Sequence, residues 1–233
     1  MATHANALVV MAKSPIAGEV KTRLVPPLSS QQASDLCRCL LLDLLKSVRS
    51  FSEADLHVAF TPTAAADLFK QLVPSGFSCF PQRGKELGER MKHVFEELFG
   101  TGYRNVVIIG SDIPVFPAGF LRQAFAALDE SGQRVVLGPS RDGGYYLIGL
   151  SRLVPEIFVD IPWGTDRVLK ATLEKLSRLG VEVSRLPEWF DVDTIEDLIL
   201  LESKRAVWVD ALPRTFDLLK KLKLHQILSR RVG

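Results

Sequence analysis

The stretch Lys13-Ser14-Pro15-Ile16-Ala17-Gly18-Glu19-Val20-Lys21-Thr22-Arg23 brings together three cations, two hydroxyls and a glycine. Arginine presents a planar fork to phosphate oxygens, lysine a mobile point charge, and glycine lets backbone amides approach, so the stretch suits a phosphate chain. Its spacing matches neither GxxxxGK[ST] nor GxGxxG. A second group, Gly110-Ser111-Asp112-Ile113-Pro114, sets a carboxylate directly after a branched apolar run. Pro114 prevents that run from continuing, which leaves Asp112 at its rim. Such an oxygen donor suits Mg2+ or Mn2+, which one or two carboxylates hold together with substrate phosphates. Ser111 does not stand in GxSxG, so a serine hydrolase is not expected.

A third group is Gly138-Pro139-Ser140-Arg141-Asp142-Gly143-Gly144-Tyr145-Tyr146. Gly143 and Gly144 permit positive φ and close approach of the backbone to a ligand, and the tyrosines can stack on or bond to one. The same residues also fit a hairpin turn followed by core aromatics. In the fourth group, Phe190-Asp191-Val192-Asp193-Thr194-Ile195-Glu196-Asp197, Thr194 can cap a following helix with Asp197 at the third helical position. Asp197 therefore reads as helix chemistry. Asp193, just outside the cap, is the better second metal ligand.

The elements that must position these groups alternate along the chain. Ala7–Ala12, Leu56–Thr61, Val106–Ile109, Val135–Leu137, Tyr146–Leu150 and Val181–Leu186 read as strands. Between them, apolar residues recur at helical spacing over Ser30–Val48, Ala64–Leu72, Leu87–Phe99, Phe120–Leu128 and Arg167–Leu179, with closing helices expected at Ile195–Ser203 and Phe216–Leu228. Ser29 and Gln32 fit a capping box at the start of the longest helix. This alternation predicts an α/β fold with a mostly parallel sheet flanked by helices on both faces. In such sheets ligands sit beyond the carboxyl ends of the strands, where all four groups fall. Neither a repeat nor a long linker interrupts the pattern, so a single domain over residues 1–233 is expected.

Composition narrows the class. The 233 residues carry 29 Lys+Arg against 27 Asp+Glu, a formal charge of +2, and 47% are apolar. Such a balance offers no general attraction to nucleic acid or anionic lipid, and the apolar run at Ala7–Ala12 is too short to span a bilayer. A cytoplasmic protein without membrane or nucleic-acid partners is expected. Cys37, Cys39 and Cys79 are an odd set without CxxC spacing, which argues against disulfides and structural zinc. Cys37 and Cys39 are expected to pack. His4, His57, His93 and His225 show neither HxH nor HExxH spacing. The terminal Lys220, Lys221, Lys223, Arg230 and Arg231 read as a solvated helix face.

Taken in order, Met11-Ala12-Lys13-Ser14-Pro15, Gly18, Val20-Lys21-Thr22-Arg23-Leu24, Leu87-Gly88-Glu89-Arg90-Met91, Gly110-Ser111-Asp112-Ile113-Pro114, Gly138-Pro139, Asp142-Gly143-Gly144-Tyr145-Tyr146, Trp163-Gly164-Thr165 and Asp191-Val192-Asp193-Thr194 carry a family resemblance. Over residues 7–205 the chain resembles an uncharacterised GT-A-like group of nucleotide-diphospho-sugar transferases, related to phospholactate and molybdopterin guanylyltransferases. The resemblance implies a GT-A fold and a nucleotide, either an NTP or an NDP-sugar, held by Ala12, Lys13, Gly18, Lys21, Arg23 and Ser111. It further implies Mg2+ or Mn2+ on Asp112 and Asp193, with a small-molecule acceptor at Asp142, Gly143, Gly144 and Tyr145.

Two departures bear on the reaction: the first loop lacks a GxGxR core, and Ser111-Asp112-Ile113 carries one acidic residue where many glycosyltransferases have DxD. The preferred expectation is nucleotidyl transfer from an NTP to a phosphorylated or carboxylate acceptor, with Lys21 and Arg23 stabilising departing pyrophosphate. Glycosyl transfer with Asp142 as base is the alternative. A nucleotide-binding module without turnover is the third reading.

Overall fold

The computed structural model describes residues 4–130 and 132–223. Strands β1 (Asn6–Lys13), β2 (Asp55–Thr61), β3 (Phe77–Pro81), β4 (Asn105–Gly110), β5 (Arg134–Pro139), β6 (Tyr145–Leu150) and β7 (Glu182–Arg185) form one sheet in the order β3-β2-β1-β4-β6-β5-β7. Only β6 runs against its neighbours β4 and β5. The sheet is thus mostly parallel, as the alternation predicts.

The carboxyl ends of β1, β2, β4, β5 and β7 consequently lie along one edge. The chain leaves β1 with β2 on one side and β4 on the other, the reversal of strand order at which α/β sheets open a crevice. Because β6 returns antiparallel, the turn 140–144 that joins it to β5 lies on that same edge.

Helices α1 (Ser30–Val48), α2 (Ala66–Leu72) and α4 (Ala118–Asp129) cover one face, and α3 (Leu87–Gly100) and α5 (Val168–Arg178) the other. The strand period of two assigns the partners: Leu8, Val10 and Ala12 pack toward α1, whereas Ala7, Val9 and Met11 pack toward α3. Helix α1 starts at the expected capping box, with Ser29 Oγ accepting from the Gln32 N–H at 3.2 Å and Gln32 Oε1 from the Ser29 N–H at 2.8 Å.

A third core joins the first half of α1 to α6 (Ile195–Ser203) and α8 (Pro213–Lys221), with Leu24 and Leu28 from the segment after β1. A short α7 (Arg205–Trp208) links the two C-terminal helices. The expected helix Phe216–Leu228 corresponds to α8, which begins earlier because Pro213 fits the first turn. Residues 224–228, with His225, Arg230 and Arg231, lie outside the described residues. Lys221 pairs with Asp217 on an exposed face. No described helix is long and apolar enough to cross a membrane.

Asp43 pins this layer from behind. Fully buried on α1, its carboxylate accepts from the Thr215 N–H and hydroxyl, both at 2.9 Å, and from Arg214 Nη1 at 3.3 Å. Asp43→Ala would leave the buried Thr215 donors unpaired. It should cost on the order of 3 kcal/mol, read as a lower urea midpoint with an unchanged slope. A wild-type midpoint would show that α8 is held by its apolar face alone.

Candidate active site

A cleft of about 700 Å3 opens over the reversal point and is lined by residues from all four groups. The first loop leaves β1 as the Ser14 N–H donates to Thr61 O at 2.7 Å, and Ser34 Oγ fastens Pro15 O at 2.6 Å. Gly18 turns at φ +86°, a conformation that excludes most side chains. Beyond it Lys13 Nζ donates to Glu19 O at 2.7 Å, folding the loop back on itself. Arg23 is exposed at the mouth. Ala12 and Ser111 are both buried along the floor.

Lys21 is placed differently from its neighbours. Its backbone is left-handed (φ 49°), its side chain is 2% exposed, and its ammonium bridges Asp112 and Asp193, the latter at 2.8 Å. Burial alone would lower its pKa, but the two carboxylates outweigh it and hold the amine above the usual lysine range. Both carboxylates meet the ammonium through Oδ1, and their side chains are 43% and 42% exposed in the cleft. Oxygen donors of this kind suit a hard divalent cation completed by substrate phosphates. Among the described residues no three His, Cys, Asp or Glu side chains form a ready-made cage.

The fourth group is set by period-two geometry. Val192 is fully buried and its N–H donates to Asp112 O at 3.0 Å, which leaves Asp191 and Asp193 lining the cleft on the other side. Asp197 Oδ2 accepts from the Asp193 N–H, the Thr194 N–H and Thr194 Oγ1 at 3.1, 2.8 and 2.8 Å, and Thr194 Oγ1 accepts from the Asp197 N–H. The cap expected at Thr194 and Asp197 is therefore present, and Asp193 lines the cleft just outside it. The sequence reading assigns Asp191 no role of its own, although the alternation Asp-Val-Asp carries the signal. Its pKa is pushed up to about 8, by burial first and then by Asp112, Asp193 and Asp142.

The 140–144 turn forms the opposite wall. Asp142 Oδ1 accepts from Ser140 Oγ and, at 3.0 Å, from the Gly144 N–H, so that oxygen clamps the turn. Gly143 has φ +85°, and a Cβ there would lie 2.1 Å from Asp166 O. The hairpin turn with core aromatics, open as an alternative in the sequence, is thus present in the lining of the cleft. Tyr145 lies edge-on to Trp163 with centroids 6.3 Å apart, and the Trp163 Nε1 is buried without a hydrogen-bond partner among the described residues. Tyr146 donates to Pro187 O at 3.0 Å. Gln82, Arg90, Trp163, Thr165 and Asp166 also line the cleft, outside the residues to which the sequence assigns a role. Cys37 is buried in the lining of the cleft, and burial first, then Asp112, pushes its thiol up to about 12, away from the reactive thiolate. Cys39 is half-buried and Cys79 exposed; all three are free thiols.

A family model described as an uncharacterised protein conserved in bacteria, DUF2064, matches residues 44–165. The chain belongs to the DUF2064 family. The matched part of this DUF2064 chain contains Asp112, the 140–144 turn and Trp163, whereas Lys21 and Asp193 lie to either side. A solved structure from Desulfovibrio desulfuricans G20, provisionally named a nucleotide-diphospho-sugar transferase, is 33% identical with a TM-score of 0.85, over 95% of this chain and 96% of that one.

Two distant structures share the fold. A cytidylyltransferase from Leptospira borgpetersenii is 13% identical, with a TM-score of 0.61 over 96% of this chain and 95% of that one. A nucleotidyl transferase from Methanothermobacter thermautotroptrophicus is also 13% identical, with a TM-score of 0.56 over 85% and 96%. No curated protein matches the chain. The nucleotide-diphospho-sugar transferase fold expected from the motifs is the fold observed.

Asp197→Ala removes a cap that receives three donors and should lower stability by roughly 1–2 kcal/mol. Asp193→Asn should cost less than half as much, because Asp112 still neutralises Lys21. Thermal unfolding of the two variants reads the difference. Equal losses would mean that the Lys21 pair fixes this segment as firmly as the cap does.

Proposed function

We propose that this protein is a divalent-metal-dependent nucleotidyltransferase, acting from an NTP on a small phosphorylated or carboxylate acceptor. One observation carries the reading: six acidic and four cationic side chains line the cleft, and the carboxylates of Asp112 and Asp193 share a single ammonium. A polyphosphate entering such a site needs more positive charge than the side chains supply. A divalent ion held by Asp112 and Asp193 would supply it, neutralising charge on the phosphates. The nucleotidyl transferases among the structural relatives support the same class of chemistry on this fold.

In the reaction an acceptor oxygen attacks the α-phosphorus in line. The bond to the bridging oxygen breaks and pyrophosphate leaves with the electron pair. The loop from Lys13 to Arg23 faces the departing charge, and Arg23 is the side chain free at the mouth to follow it out. The 140–144 turn and Trp163 shape the acceptor side. An ionised phosphate or carboxylate acceptor needs no base, which agrees with the commitment of one Asp142 oxygen to its own turn. Glycosyl transfer to a hydroxyl would ask Asp142 for general-base work that this hydrogen bonding opposes.

The test is pyrophosphate release from each NTP with phosphorylated and carboxylate acceptors, beside NDP release from NDP-sugars. Pyrophosphate should appear only with Mg2+ or Mn2+ and an acceptor present. Asp112→Asn should lower its rate by about 100-fold or more, and Arg23→Ala should lower turnover more than it weakens nucleoside monophosphate binding. Acceptor-dependent NDP release without pyrophosphate would replace this reading with glycosyl transfer.

A further inference from the structure

Lys21 has its ammonium where a cation for Asp112 and Asp193 would otherwise sit. The left-handed backbone at φ 49° is uncommon for a residue with a Cβ, and the following turn holds it, with Leu24 N–H donating to Lys21 O at 2.9 Å. The side chain is consequently directed inward rather than along the exposed loop. Among the described residues its ammonium is paired with Asp112 and Asp193 alone, so an ammonium driven off them gives up both of its ion pairs at once. Moving a buried charge without a new partner is costly. A divalent ion arriving by itself would therefore either displace the ammonium at that cost or bind beside it against like-charge repulsion. A phosphate chain changes the balance by giving the displaced ammonium new oxygens.

We infer that Lys21 is an internal competitor for the divalent cation at Asp112 and Asp193, making metal binding conditional on a phosphate-bearing ligand. This rests on the reading of those two aspartates as the metal carboxylates. The residue acts as a positioning residue: it keeps the carboxylates converged while no metal is present and keeps the metal from binding alone. Arg23 and Lys13, which touch neither carboxylate, have no such role.

The test uses Mn2+ alone as probe, titrated into the intact protein and followed by the electron paramagnetic resonance of the free ion. Without nucleotide, Lys21→Met should bind Mn2+ about tenfold tighter than wild type, the scale of one or two partly exposed ion pairs. Lys21→Arg, which keeps the charge, should stay near wild type. A folded Lys21→Met that binds Mn2+ no tighter than wild type overturns the inference.

A measurement on the wild type stands independently of how that variant folds. The 15N resonance of the Lys21 ammonium should be unmoved by Mg2+ alone and should shift when Mg2+ and inorganic pyrophosphate are added together. Displacement by Mg2+ alone, or tight Mn2+ binding by the wild type without phosphate, overturns the competition and leaves the proposed reaction standing. Absence of Mn2+ binding in every protein, with and without pyrophosphate, removes Asp112 and Asp193 as metal ligands and takes both readings with it.

Discussion

A single ammonium, that of Lys21, is shared by two carboxylates that approach it from different parts of the chain, Asp112 after the central strand β4 and Asp193 before helix α6. Hydrogen-bonded ion pairs with this little exposure on one side fall off steeply with distance, so the three loops have to arrive together to within a fraction of an ångström. Such a pair is weak evidence for stability, because desolvating the lysine offsets much of the attraction. Its consequence is registry. The β1 loop, the end of β4 and the segment before α6 occupy one relative position, and the cleft has one shape.

The rest of the molecule can be understood as the support of that registry. Asp112 is fixed at two levels, its side chain on Lys21 and its backbone carbonyl on the Val192 N–H, so the Asp191–Asp193 segment is laid against it like an added strand. That segment reaches the site because β7 lies beside β5, with Trp189 N–H on Pro139 O and Arg141 N–H on Trp189 O drawing the chain back across the 140–144 turn. Behind it the third core, pinned by Asp43, carries α6 and α8. The antiparallel β6 serves the same end. It brings the Asp142–Gly144 turn to the edge where the parallel strands finish, and Gly143 is required there because the Asp166 backbone occupies the space of a Cβ.

Local pattern made much of this legible. Six of the seven strands announce themselves through apolar runs or alternation, and both capping boxes, Ser29 with Gln32 and Thr194 with Asp197, are readable because a cap is a contact between residues three apart. Strand β3 gave no such signal. Phe77–Pro81 is an edge strand whose residues are all at least partly exposed, so it has no buried face to write a period into the sequence. The direction of β6 was equally silent, since direction is a property of pairing and not of composition. The pairing of Lys21 with Asp112 and Asp193 belongs to the same class: a basic loop reads the same whether its lysine faces phosphate or a carboxylate, and only the fold shows which.

That distinction separates the fold from its chemistry. A strand needs only the right period and a helix only an apolar stripe, so the sheet tolerates nearly complete replacement of its residues while keeping its topology. The cleft has no such latitude. Exchanging Lys21 for an uncharged residue would leave two half-exposed carboxylates facing each other without a cation between them, and each would raise the cost of ionising the other. Their convergence therefore depends on a cation being present at every stage, first the protein's own and, on the proposed reading, later one brought by the substrate. The arrangement ties the electrostatics of the resting site to the charge of the ligand it accepts, which is why an acid-rich cleft and a phosphate-bearing substrate are compatible in the same fold.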